Sequence, residues 1–438
     1  MPWLIFGRRK LGDNSSAIVR SPSRLNYLFH IPLYSNAIFL GLAQVANAIF
    51  GFVFWIIAAR LYTAEVVGLT SAILSVAGLL VTISSVGLGY GLIRFLNSNK
   101  NPVKLINSSF TVTGLLSLAA TGIFIIGLGI WSPGLDILRN DPHYLVVFLF
   151  FVPVSVFASL IDQTLMAKRQ AKFIFIRSLI FNILRLALLV LLAVFFQSLG
   201  ILGSWSTAVF IALLVGVFIL LPRAQPGYKL SFTVDRKMVS EIQHYSFLNY
   251  LGDLFWNLPG LVLPIIIVNL LGADSNAYFY MAWAMAGTLT MIPTSIATSL
   301  LAEGSHDEAL LKYHIRRSLR ILVLLLIPAA IIVWFLADKF LLLYGGLYAK
   351  NATTLLRWLA IASLPIAINT IYFSIKRIQK QVTPVIILAV IMALITVLVS
   401  YLLLPRFGIN GVGIAWLGAQ SISAVIAIVW YIRSGAGS

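Results

Sequence analysis

Residues 36–61 read NAIFLGLAQVANAIFGFVFWIIAARL, and after the short break YTAEVV, residues 68–92 read GLTSAILSVAGLLVTISSVGLGYGL. A helix needs roughly 20 apolar residues to cross about 30 Å of hydrocarbon, and both runs satisfy that length. The break between them can hold only a turn, so the chain crosses and returns at once. The pattern continues through Ile106–Trp131, Tyr144–Leu165, Ile174–Phe196, Leu202–Leu221, Ser246–Leu271, Ala277–Ala302, Ser318–Leu336, Thr353–Ile375, Pro384–Leu404 and Gly411–Ile432, twelve spans in all. With 60% hydrophobic residues, 10% charged residues and a mean hydropathy of +0.98, the chain cannot be a soluble globule. The predicted fold class is an all-α polytopic membrane protein, and no connection is long enough to fold alone.

The net charge of +18 would fit a nucleic-acid partner, but its distribution does not. Taking the loops alternately, one side carries 24 Lys and Arg and the other 5, with Arg185 and Arg357 inside spans. Basic residues collect in cytoplasmic loops. The unbroken alternation therefore supports the span count and predicts cytoplasmic N- and C-termini in the cytoplasmic membrane. It also predicts contact with anionic membrane lipids. Nucleic acid needs a basic face on a folded domain, and none is available. The chain has no cysteine, which excludes thiolate chemistry. No metal-spaced His pair, Walker sequence or nucleophile elbow occurs, so no cofactor is expected and the chain does not read as an enzyme.

The sequence repeats weakly. Leu199-Gly200-Ile201-Leu202-Gly203 and Phe407-Gly408-Ile409-Asn410-Gly411 open the sixth and twelfth spans 208 residues apart, and Lys168-Arg169 and Lys376-Arg377 close the fourth and tenth at the same offset. Asn47 and Asn257 are 210 apart. Six spans per half is an even number, so the halves keep one orientation and are related by a pseudo-two-fold axis along the membrane normal. The predicted organisation is a cytoplasmic basic tail at 1–35, a six-helix lobe at 36–221, a cytoplasmic linker at 222–245 serving as hinge, a second six-helix lobe at 246–432 and a cytoplasmic tail at 433–438. Substrate sites of such duplicated transporters lie at the repeat interface, which here predicts a central cavity.

Polar residues inside spans are the candidate site. Asn249, Asp253 and Asn257 share one face of the seventh helix, and Gln44 and Asn47 lie three apart in the first. Helix–helix hydrogen bonding is the competing reading for the amides. Asp253 is the candidate coupling-ion residue, since an ionisable group in a span is functional by default. Arg185 lies about 17 Å along the fifth helix, too deep to reach water by extending its side chain. It is expected to face a hydrated cavity and offer charge to an anion. Asp162 and Arg177 are expected to form an ion pair within the first bundle. Arg94 and Glu303, at equivalent helix ends 209 residues apart, are a candidate inner gate, with two solvated helix ends as the alternative. The glycine-rich Val86–Gly91 lacks the nucleotide-binding context and reads as close packing or a local bend.

The run FWIIAARLYTAEVVGL at 54–69, with Gly87-Leu88-Gly89 leading to Ile93-Arg94-Phe95, resembles the polysaccharide and oligosaccharide flippases of the multidrug/oligosaccharidyl-lipid/polysaccharide superfamily. The coarse likeness covers 36–432, and its specific part is the first two helices. The resemblance implies two six-helix lobes around a V-shaped cavity, rocker-switch alternating access and outward flipping of a polyprenyl-phosphate- or diphosphate-linked saccharide. The implied partners are that lipid-linked anionic saccharide and the glycosyltransferases or polymerase of the same pathway. Arg60 and Glu65 match the family's first-loop pattern and join the candidate gate residues.

Two rivals remain. A cation-coupled drug exporter of the same superfamily would want a carboxylate-rich cavity, whereas the spans hold Asp162 and Asp253 against Arg177, Arg185 and Arg357. A membrane-embedded glycan polymerase would want a large outer loop or an acidic constellation, and the outer loops offer chiefly Asp136 and Asp141.

Overall fold

A computed structural model describes residues 32–306 and 310–433. The greater part of the basic tail and all but Arg433 of the final segment lie outside these residues. The described chain is built from twelve long helices: α1 Pro32–Leu61, α2 Ala64–Ser85, α3 Pro102–Ile126, α4 Pro142–Ala167, α5 Ala171–Phe195, α6 Gly200–Ala224, α7 Arg236–Leu271, α8 Ala273–His306, α9 Leu311–Leu342, α10 Gly346–Ile378, α11 Thr383–Phe407 and α12 Asn410–Arg433. Each contains a stretch long and apolar enough to span a bilayer.

Local chemistry sets the ends. Thr63 caps α2 by accepting the Val66 N–H at 3.3 Å. Asp141 caps α4 by accepting the His143 N–H at 2.8 Å, which holds its carboxyl below the usual carboxylate range. Pro102, Pro142 and Pro384 occupy first-turn positions, where a missing N–H is harmless. The second span does break in its glycine-rich stretch. Val86 and Gly87 both take left-handed conformations (φ 42° and 76°), and a new helix runs over Leu88–Phe95. One strained β-branched residue beside a glycine redirects the chain there.

Helices α1–α6 form one lobe and α7–α12 the other, and the seam runs along α2, which packs against α7 and α8. Gly68 makes that crossing possible. A Cβ there would sit 1.7 Å from the Ala273 carbonyl oxygen. Asn276 then bridges the seam, donating to the Gly68 carbonyl at 2.7 Å and to Ser71 Oγ at 3.0 Å.

The linker differs from its sequence-based boundary. Helix α7 begins at Arg236, so residues 236–245 are helical rather than loop. They are polar, which ends a hydropathy span, yet Lys237, Met238, Glu241 and Gln243 are good helix formers. The remaining strap is tied to the start of α3. Asn107 donates to the Lys229 carbonyl (2.8 Å) and Ser231 Oγ (2.9 Å), the Asp235 N–H donates to Ser108 (3.1 Å), and Lys104 pairs with Asp235 (3.0 Å).

Gly68→Ala is expected to destabilise the purified protein by about 1–3 kcal/mol, the usual cost of overpacking. Gly122→Ala, where a new Cβ meets nothing within 4 Å, is expected to leave the thermal unfolding midpoint unchanged.

Candidate functional site

Three cavities lie along the interior. The first, about 370 Å3, is walled by α1, α4, α5 and α6 and lined by Asn47, Asp162, Arg177, Arg185, Phe181 and Trp205, among others. The second, about 460 Å3, lies between the lobes, with Ser75 and Gly78 of α2, Asn257 of α7 and Tyr280 and Trp283 of α8 in its walls. The third, about 220 Å3, belongs to the second lobe and takes Trp256, Trp283, Thr290 and Trp416. Trp205 lines the first and second cavities, and Asn257, Gly260 and Trp283 line the second and third.

Arg185 is 4% exposed. Its guanidinium carbon lies 5.1 Å from the Phe54 ring centre, 4.8 Å from Phe181 and 4.7 Å from Trp205. The negative ring faces offset part of the cost of taking the charge out of water. No carboxylate among the described residues lies within ion-pair distance of it, and its Nε has no hydrogen-bond partner. Arg185 lines this cavity in the wall of the first lobe, and Trp205 is the wall residue that it shares with the inter-lobe cavity. Asp162 and Arg177 form the expected pair at that same cavity, with Arg177 Nε donating to Asp162 Oδ1 at 2.6 Å. Asn47 Oδ1 accepts from Ser178 Oγ and Asn182 Nδ2, both at 2.6 Å, which joins α1 to α5. Asn47 thus serves helix packing and cavity lining together.

The other sequence-derived residues are spread out. Gln44 is uncovered by protein on the first half of α1. The side chain of Asn249 is outside those described. Asp253 pairs with Arg377 of α10 at 3.4 Å, and its carbonyl accepts from Asn257 Nδ2 at 2.8 Å. Glu65 is exposed in the first turn of α2. Glu303 lies 2.9 Å from His314 of α9, and Arg94 stands over Phe95 at 5.8 Å. Arg60 crosses to the other lobe. Its Nε and Nη2 donate to the Leu343 and Leu342 carbonyls, at 3.0 and 2.8 Å, where α9 ends. A cation there satisfies orphan carbonyls and the negative helix end.

Those contacts belong to a cluster. Six hydrogen bonds join the lobes toward the face opposite the basic one: the two from Arg60, the two from Asn276, and Asn269 with Trp131 and Gly134. Phe52–Tyr344 (5.9 Å) and Trp55–Tyr280 (4.9 Å) ring contacts lie in the same half of α1. Toward the basic face, Leu42, Val45 and Ile49 of α1 are uncovered. Toward the basic face the lobes also touch, because Leu88–Phe95 packs against α7, and a Cβ on Gly87 would lie 3.0 Å from Tyr250 Cβ.

Sequence reasoning missed the aromatic lining, Trp205, Tyr280, Trp283 and Trp416. A signal existed, because tryptophans favour the interfacial belts and these sit inside spans.

A family profile described as "Polysaccharide biosynthesis protein" matches residues 33–302. The chain belongs to the polysaccharide biosynthesis protein family. Its fold is that of solved structures at low identity. Lipid II flippase MurJ in an inward closed conformation gives a TM-score of 0.75 at 15% identity, over 90% of this chain and 87% of that one. An inward-facing multidrug resistance MATE family transporter of the MOP superfamily gives 0.69 at 13%, over 92% and 98%. An outward-facing one gives 0.61 at 14%, over 95% and 99%. A search of curated proteins finds no match for the chain.

Asp162→Asn is expected to cost about 3–5 kcal/mol because it strands the buried Arg177, and Arg177→Gln less, because Asp162 is about a third exposed. The double variant is expected to recover part of that loss in thermal unfolding.

Proposed function

We propose that this protein flips a polyprenyl-phosphate- or diphosphate-linked saccharide across the cytoplasmic membrane by alternating access, with both termini cytoplasmic. The observation that carries the reading is Arg185, a buried cation without a carboxylate partner on a cavity that adjoins the inter-lobe one at Trp205. Membership of the polysaccharide biosynthesis family supports the substrate class. The charge balance favours it over drug export, since the first cavity is lined by Arg177 and Arg185 against Asp162 alone.

In this reading the head group enters from the basic face, along the uncovered half of α1. Its phosphate takes up the guanidinium of Arg185 through charge-assisted hydrogen bonds, which are stronger than the ring contacts they supplement. A phosphate reaching the same cavity also competes with Asp162 for Arg177. The lobes then rock, and the bonds from Arg60 to the end of α9 must part before the outer side opens. An inside-negative potential drives an anionic head outward with ~2.3 kcal/mol per charge per 100 mV. Asp253, held by Arg377, is the residue assigned to ion coupling.

Two experiments follow. In proteoliposomes with a fluorescent polyprenyl-diphosphate saccharide, Arg185→Gln is expected to slow flipping by roughly tenfold or more, the loss of about 1.4 kcal/mol or more of substrate interaction. Arg185→Lys should keep part of the rate, and a wild-type rate in Arg185→Gln would overturn the reading. Arg60→Ala is expected to shift the lobe equilibrium toward outer opening by roughly 5–30-fold, equivalent to about 1–2 kcal/mol. Spin labels on cysteines placed in this cysteine-free chain would report the shift, and unchanged distance distributions would remove Arg60 from the gate.

A further inference from the structure

The duplicated lobes enclose cavities of opposite character. The first is lined by three ionisable side chains, Asp162, Arg177 and Arg185. No charged side chain lines the second-lobe cavity. Its walls carry three indoles. Trp283 and Trp416 form a corner with ring centres 4.9 Å apart at 60°, and Trp256 is braced by Phe373 at 5.3 Å.

The polar atoms of that cavity have a common bias. Thr290 donates its hydroxyl proton to the Gly287 carbonyl (2.8 Å), Thr294 to Thr290 (2.6 Å) and Thr370 to Ile366 (2.7 Å). Asn257 gives an amide N–H to Asp253 (2.8 Å). With those protons committed to their own helices, the threonine hydroxyls present lone pairs, as does the Asn257 amide oxygen. The threonines and Asn257 therefore accept hydrogen bonds, while the three indoles offer ring faces and N–H donors. A complementary ligand brings O–H donors and a C–H face, whose slight positive charge suits the negative ring face. An uncharged sugar ring has both. A uronic acid would lack a cation there, and an ammonium sugar would lack a carboxylate.

We propose that the second-lobe cavity is a subsite for uncharged sugar residues, which stack on the Trp283–Trp416 corner while the phosphate of the same molecule lies at Arg185. This rests on the flippase reading and adds the chemical class of its glycan. The cavities adjoin in series, sharing Trp205 from first to second and Asn257, Gly260 and Trp283 from second to third, and in this proposal one head group extends across them. Gly287 leaves the floor open, since a Cβ there would meet nothing within 4 Å.

The test uses full-length protein in proteoliposomes and three polyprenyl-diphosphate probes: one bearing a neutral glucose disaccharide, one the same disaccharide ending in glucuronic acid, and one without sugar. Wild type is expected to flip the neutral probe roughly tenfold or more faster than the acidic one, as a site built for hydroxyl recognition discriminates strongly. Gly287→Leu fills the floor without removing a contact, and is expected to abolish that preference while sugar-free probe binding persists. Thr294→Val, at an uncovered position, should weaken the preference and guards against misfolding as the cause. Equal handling of both sugar probes by wild type, or an unchanged preference in both variants, overturns the subsite and leaves the flippase reading standing. No binding of any probe by wild type overturns both.

Discussion

A guanidinium held near the middle of a membrane protein without a carboxylate must be compensated in some other way, and the first lobe is organised around that need. Arg185 has Phe54 of α1, Phe181 of its own helix and Trp205 of α6 around it. Three helices are thus placed by one charge. Ring contacts offset only part of the desolvation cost, so the cavity beside the guanidinium is a polar space in which an anion is favoured. The neighbouring Asp162–Arg177 pair is internally neutral, and the net positive charge of the cavity is that of Arg185.

The same duplicated scaffold was lined differently in the second lobe, where indoles and threonines replace ions. The proposed substrate, a lipid-linked saccharide, is itself asymmetric, anionic at the phosphate and polyhydroxylated beyond it, and the proposal assigns one part to each cavity. The seam between the lobes has small side chains where α2 crosses α8, while the bonds of Arg60, Asn269 and Asn276 gather toward one face. Polar bonds gathered toward one face are the contacts that a rocking motion of the lobes would have to break.

The twelve spans and the all-helical two-lobe fold were legible, because hydropathy and charge alternation are one-dimensional quantities. The Asp162–Arg177 pair was also legible, since a short turn brings the two helix ends together. Helix ends beyond the membrane were not, because Arg236–Tyr245 is polar and still helical. The partner of Arg60 could not be read either. It is a pair of backbone carbonyls nearly three hundred positions away, and backbone acceptors carry no residue signature. The acid near Arg377 and the base near Glu303 became visible only once helices from distant parts of the chain were packed.

Titration of the purified protein with sugar-free polyprenyl diphosphate, followed by tryptophan fluorescence, tests the central claim most directly, because Trp205 touches the guanidinium that receives the anion. Wild type is expected to show saturable quenching that weakens with salt and is lost in Arg185→Gln. Identical quenching in Arg185→Gln, or saturable binding of a lipophilic cation in place of the diphosphate, would contradict it.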